Sequence, residues 1–124
     1  MNWATIVAVL AAFAVFFFIK RAGQISSKEA LARLKAGALV IDVRSASEFS
    51  SRHLPGAISL PLQKIQAPLP RIMKDKNRAL LLHCQSGMRS GVARKKLKAL
   101  GYPNAFNLGS YRRAEEIVKS RKLR

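Results

Sequence analysis

Leu80-Leu81-Leu82-His83-Cys84-Gln85-Ser86-Gly87-Met88-Arg89-Ser90 joins an apolar run to a polar loop and then to a helical pattern. The run lacks the alternation of a half-buried strand, so it reads as a strand covered on both faces, the kind found in parallel sheets packed between helices. Cys84 then stands at the carboxyl end of a strand, where ligands bind in open α/β sheets. A loop entering a helix also presents unpaired backbone N–H groups and the positive end of a dipole, and both favour a thiolate over a thiol. Arg89 adds a fixed positive charge nearby. A lone free cysteine is more commonly a small buried hydrophobe, so Cys84 is singled out by its neighbours rather than by its type.

Working outward, Leu39-Val40-Ile41-Asp42-Val43 reads as a second buried strand, rich in β-branched residues. Before it, Ser26-Ser27-Lys28-Glu29 has capping-box spacing and predicts a helix with Ala30, Leu31 and Leu34 on its apolar side and Gly37 at its end. After it, Ser45-Ala46-Ser47-Glu48 repeats that spacing and predicts a helix of one or two turns. Leu54-Pro55-Gly56-Ala57 forces a turn before a short strand at Ile58-Ser59-Leu60. A helix between Leu62 and Met73 would be interrupted by Pro68 and Pro70. Ala79 to His83 is the next strand, and Ser90 to Leu100 a helix with Ala93, Leu97 and Leu100 on one face, closed by Gly101 and Pro103. Ala105-Phe106-Asn107-Leu108 forms another strand, Gly109-Ser110 a turn, and Tyr111, Ala114, Ile117 and Val118 the buried stripe of a last helix. Strands alternating with helices predict an α/β layer structure with a mostly parallel sheet.

The chain has 124 residues and a formal net charge of +17. Trp3 to Ile19 carries no charge and stops at Lys20-Arg21. About 17 apolar residues is near the lower limit for a spanning helix. Residues 1–21 are therefore expected to be a single transmembrane anchor, with 22–124 a single domain. The positive flank keeps that domain in the cytoplasm at the cell inner membrane. An exported domain behind a signal sequence is the competing reading, but no charged n-region or cleavage site is evident. One cysteine excludes an internal disulfide and a multi-cysteine metal site. His53, His83 and Cys84 lack closed-zinc spacing, so neither metal nor cofactor is expected. The basic surface suits an anionic lipid surface or anionic small substrates. No nucleic-acid module is recognisable, and no specific nucleic acid is expected as a partner.

Three segments together carry a resemblance: Ile41-Asp42-Val43-Arg44 with Glu48-Phe49, His53-Leu54-Pro55-Gly56-Ala57, and Cys84 to Ser90. In that order and spacing the chain resembles the rhodanese family of single-domain sulfurtransferases over about residues 25 to 120. The resemblance implies a rhodanese-like three-layer fold, a mostly parallel sheet flanked by helices, preceded here by the expected transmembrane helix. It implies a sulfurtransferase whose Cys84 accepts a sulfane sulfur from a donor such as thiosulfate and passes it, as a persulfide, to cyanide or a thiol. The physical reading agrees: N–H groups of Gln85, Ser86, Gly87, Met88, Arg89 and Ser90 can surround an anionic sulfur, and Gly87 lets the backbone turn inward. Arg89 would hold an anionic donor or pair with Asp42 or Glu48. Arg44 is placed near the site by the resemblance, as a candidate substrate contact. Asp42 reads as a structural acceptor fixing neighbouring loops, and Glu48 as a structural neighbour of the site.

Two other readings stand beside this one. A cysteine phosphatase of similar fold shares the His83-Cys84 start, but that family places five residues between cysteine and arginine where Gln85-Ser86-Gly87-Met88 supplies four. The loop also has no Asp to protonate a leaving alcohol. A non-catalytic, membrane-tethered binding module is the other, and Cys84, Gly87 and Arg89 occurring together argue against it. After the last strand, Gly109-Ser110-Tyr111 replaces the family's usual glycine pair, a departure that bears on substrate preference.

Overall fold

A computed structural model describes residues 2–65 and 74–122, the side chains of 19–22 and of 122 excepted. Its elements are α1 (Trp3–Ala22), α2 (Ser27–Lys35), β1 (Leu39–Asp42), α3 (Ala46–Ser51), β2 (Ile58–Ser59), a 3₁₀ turn (Leu62–Lys64), β3 (Leu80–His83), α4 (Met88–Ala99), β4 (Ala105–Gly109) and α5 (Tyr111–Lys122). The strands lie in the order β2-β1-β3-β4, and every pairing is parallel. The helix expected between Leu62 and Met73 is described only as the 3₁₀ turn; its remainder lies outside the described residues.

Local chemistry accounts for the helix ends. Ser26 caps α2 by accepting the Glu29 N–H at 3.1 Å, whereas the Glu29 carboxylate turns to Arg33 at 3.5 Å. Capping by the serine therefore forms there without the reciprocal bond from glutamate. At α3 both halves of the capping box are present. Helix α4 begins at Met88, two residues ahead of the predicted Ser90.

Because β3 is covered on both faces, its four residues are all buried, and successive side chains feed different cores. Leu80 and Leu82 join Ile41, Ala93, Leu97 and Tyr102 on the α4 side, while Leu81 joins Leu34, Val40, Leu108 and Ile117 beneath α2 and α5. This gives three layers, helix, sheet and helices, with the ends of β1 and β3 side by side: Asp42 is in register with His83. Between β3 and β4 the register slips, Leu82 opposing Asn107 and His83 opposing Gly109. Asn107 faces α4 by alternation from Ala105, and the extra residue after it, Leu108, brings Gly109 against the Cys84 backbone, whose N–H donates to the Gly109 carbonyl at 3.3 Å.

Helix α1 requires a correction to the expected transmembrane span. It is helical, and its side chains from Trp3 to Phe18 are exposed. Among the described residues, however, no helix is long and apolar enough to cross a membrane.

Candidate active site

Cys84 ends β3 with no solvent exposure, and the loop that follows folds back around its sulfur. Gly87 makes this geometry possible. Its φ of +94° lies in the left-handed region, where a Cβ is costly, and it is the N-cap of α4 with no side-chain cap of its own. Its N–H donates instead to Cys84 Sγ at 3.0 Å. A Cβ at Gly87 would also press on the Gln24 amide at 3.2 Å and the Gly109 carbonyl carbon at 3.3 Å.

Ser90, one turn into α4, is buried with its hydroxyl 3.6 Å from Sγ. Burial alone would push the thiol pKa up and is the largest single influence on it. Against this, the Ser90 hydroxyl and the backbone N–H groups of Ser90, Gly87 and Ser86 together hold the Cys84 thiol below its ordinary value. A thiolate at this position is solvated by the protein in place of water.

The remaining loop residues line the approach. Gln85 accepts the Tyr111 N–H at 3.3 Å through its carbonyl, and Ser86 forms an isolated bridge with Ser110. Met88 is 63% exposed at the surface beside the loop. Arg89 donates to both carboxylate oxygens of Glu48, at 2.7 and 3.0 Å, a fork geometry that lysine cannot reproduce. Hydrogen bonding from Arg89, followed by that of the Ser45 N–H, lowers the Glu48 pKa to about 2. Arg89 is correspondingly raised, chiefly by Glu48, with a smaller contribution from Cys84 beside it.

The other predicted residues gather one step away. Asp42 is fully buried and accepts the Arg44 backbone N–H at 2.9 Å and the Arg44 guanidinium at 2.8 Å. Arg44 is itself buried, donates onward to the Arg52 carbonyl, and lies 4.6 Å over the Tyr111 ring. Its guanidinium is thus committed to Asp42, Arg52 and Tyr111, whereas Arg89, held by Glu48, stands beside the thiol. His83 is buried, its Nε2 3.7 Å from Asp42 and without a hydrogen-bond partner. Loss of solvent is the main cause that lowers its pKa, opposed in part by Asp42. His53 is exposed, stacks on Phe49 and shares a hydrogen bond with the Phe49 carbonyl at 2.8 Å. Among the described residues, no group of three or more His, Cys, Asp or Glu is placed to hold a metal ion.

Sequence reading passed over Asn107. It is buried and binds both Ser90 and Gly87. The available signal was a polar residue in the middle of an otherwise apolar strand, because a buried amide must find partners there.

Comparison with known proteins agrees with this architecture. A family model described as "Rhodanese-like domain" matches residues 26–113. The thiosulfate sulfurtransferase PspE of Escherichia coli is 33% identical over 69 residues, which cover 56% of this chain and 66% of that protein, just under two thirds of its length. The solved human single-domain sulfurtransferase TSTD1 superposes with a TM-score of 0.65 at 28% identity, covering 76% of this chain and 96% of the other. A rhodanese with anions from E. coli gives a TM-score of 0.60 at 30% identity, over 62% of this chain and 91% of that one.

Proposed function

The chain belongs to the rhodanese-like domain family, and from that premise we propose that it transfers sulfane sulfur through a persulfide on Cys84. The Cys84 thiolate attacks the outer sulfur of thiosulfate. An S–S bond forms to Sγ, the bond to the sulfonate sulfur breaks, and sulfite leaves with the electron pair. The outer sulfur of the persulfide is then attacked by cyanide or a thiolate, and Cys84 departs as thiolate with its electrons restored. No cofactor enters either step.

The observation that carries this reading is the 3.0 Å hydrogen bond from the Gly87 N–H to Cys84 Sγ, at a helix start that has no side-chain cap. Donors fixed before reaction around a buried sulfur stabilise developing charge without reorganising. The net charge of +17 supports an anionic donor by steering it inward. Arg89, beside the sulfur, is the group to receive that donor, and Glu48 must yield one oxygen for it to do so.

Intact mass tests the proposal. Incubation with thiosulfate is expected to add one sulfur atom, and Cys84→Ser to abolish the addition; an unchanged mass, or one that rises equally in the mutant, rejects it. An aryl phosphate offered in parallel is expected to release no phosphate.

The proposal extends to place and partners. The exposed apolar surface of α1 and the basic domain behind it support association with an anionic bilayer, at the cytoplasmic face of the cell membrane. The full chain is expected to float with anionic vesicles and to stay behind without residues 1–21.

A further inference from the structure

Ser90 has one hydroxyl proton and three acceptors around it. Asn107 Oδ1 is 2.7 Å away, the Gly87 carbonyl 3.1 Å and Cys84 Sγ 3.6 Å. With a neutral thiol the short bond to Asn107 is preferred. Once the sulfur is anionic, a charge-assisted bond, roughly twice as strong as a neutral one, draws the proton towards Sγ. Such a rotation would normally leave a buried acceptor without a partner, at considerable cost.

Here it does not. Asn107 Oδ1 also accepts the Gly109 N–H at 3.0 Å, and this donor fixes which way the amide faces. The Gly87 carbonyl accepts Asn107 Nδ2 at 3.2 Å, so it too remains satisfied when Ser90 turns. We propose that Asn107 is a positioning residue for the Cys84 sulfur, which holds the Ser90 proton in reserve and lets it swing to the anion without leaving a buried polar atom unpaired.

The inference rests on Cys84 being the reacting atom, but its test does not need sulfur transfer. Cys84 is the sole cysteine, so thiolate absorbance followed against pH, with Cys84→Ser subtracted, reports its ionisation directly.

Ser90→Ala is expected to raise the titration midpoint by about one pH unit, about tenfold less thiolate at a fixed pH below it, whereas Asn107→Ala, which removes the acceptor that competes with sulfur for the Ser90 proton, is expected to lower it. The double variant should match Ser90→Ala alone, because Asn107 acts through Ser90. Where Asn107→Ala does not fold, the near-isosteric Asn107→Asp replaces it and must raise the midpoint by more with Ser90 present than in a Ser90→Ala background, since its carboxylate holds the Ser90 proton more firmly as well as repelling the thiolate. A variant at 107 that lowers thermal stability yet leaves the midpoint unmoved overturns the proposal, as do shifts that simply add. A normal midpoint shift in protein that takes no sulfur from thiosulfate would reject the sulfur-transfer reading alone.

Discussion

Two neighbouring strands, β1 and β3, end at the same edge of the sheet, and each leads through a short loop into a helix. Their helix starts are opposites. At α3 the Ser45 hydroxyl accepts the Glu48 N–H at 3.2 Å, and the Glu48 carboxylate accepts the Ser45 N–H at 3.0 Å. At α4 the cap is a glycine with no side chain to offer, and its N–H goes to sulfur. The first helix start satisfies itself and serves as scaffold; the second leaves its donors for a reacting atom. The two are joined by the Arg89–Glu48 fork, so the self-satisfied turn also steadies the open one.

The contrast can be broken from either side. Gly87→Ala should do most damage: a left-handed φ costs a β-carbon about 1–2 kcal/mol, and displacing one fixed donor from a reacting centre costs about a hundredfold or more in rate. Sulfur loading measured by quenched intact mass would show this, and loading at the wild-type rate would mean that the Gly87 N–H contributes nothing. Ser45→Ala should cost about 1 kcal/mol of stability in urea unfolding, while the Cys84 titration midpoint stays where it is. If that midpoint moved, the two starts would not be separable.

The smallest effect concerns acid. The Glu48 pKa is lowered from 4.5 to about 2, so the fork contributes to stability above pH 4.5 and that contribution disappears as pH falls through about 2. Being part-exposed, such a pair is worth less than about 1 kcal/mol. Glu48→Gln should flatten that portion of the stability profile, and an unaltered profile would show the fork to be energetically silent.

Most of the scaffold was legible because its signals are local. Apolar runs without alternation marked β1 and β3, serine with glutamate three residues on marked α3, and glycine placed the helix ends at Gly37 and Gly101, both of positive φ. The Cys84 loop was legible for the same reason, since its donors are neighbours in sequence. What escaped depended on distant pairing. Whether Arg89 meets Asp42 or Glu48 depends on how β1 and β3 register, and spacing left both open. Asn107 acquires its role only through packing against Ser90 and Gly87, 17 and 20 residues away in sequence, which no local pattern announces. The expected span at α1 came from counting apolar residues, and among the described residues no helix is long and apolar enough to cross a membrane.

The register slip at β4 bears on timing. A ribosome releases this chain with Cys84 well ahead of Ala105 to Gly109, and parallel strands pair only after long loops close. The Gly109 carbonyl that receives the Cys84 N–H, and the Asn107 amide that binds Gly87, both belong to that last strand. Until it docks, Cys84 lacks the carbonyl that receives its N–H and Gly87 the amide that holds its carbonyl. The order of synthesis therefore leaves the Cys84 loop without its backing strand until most of the chain has been made.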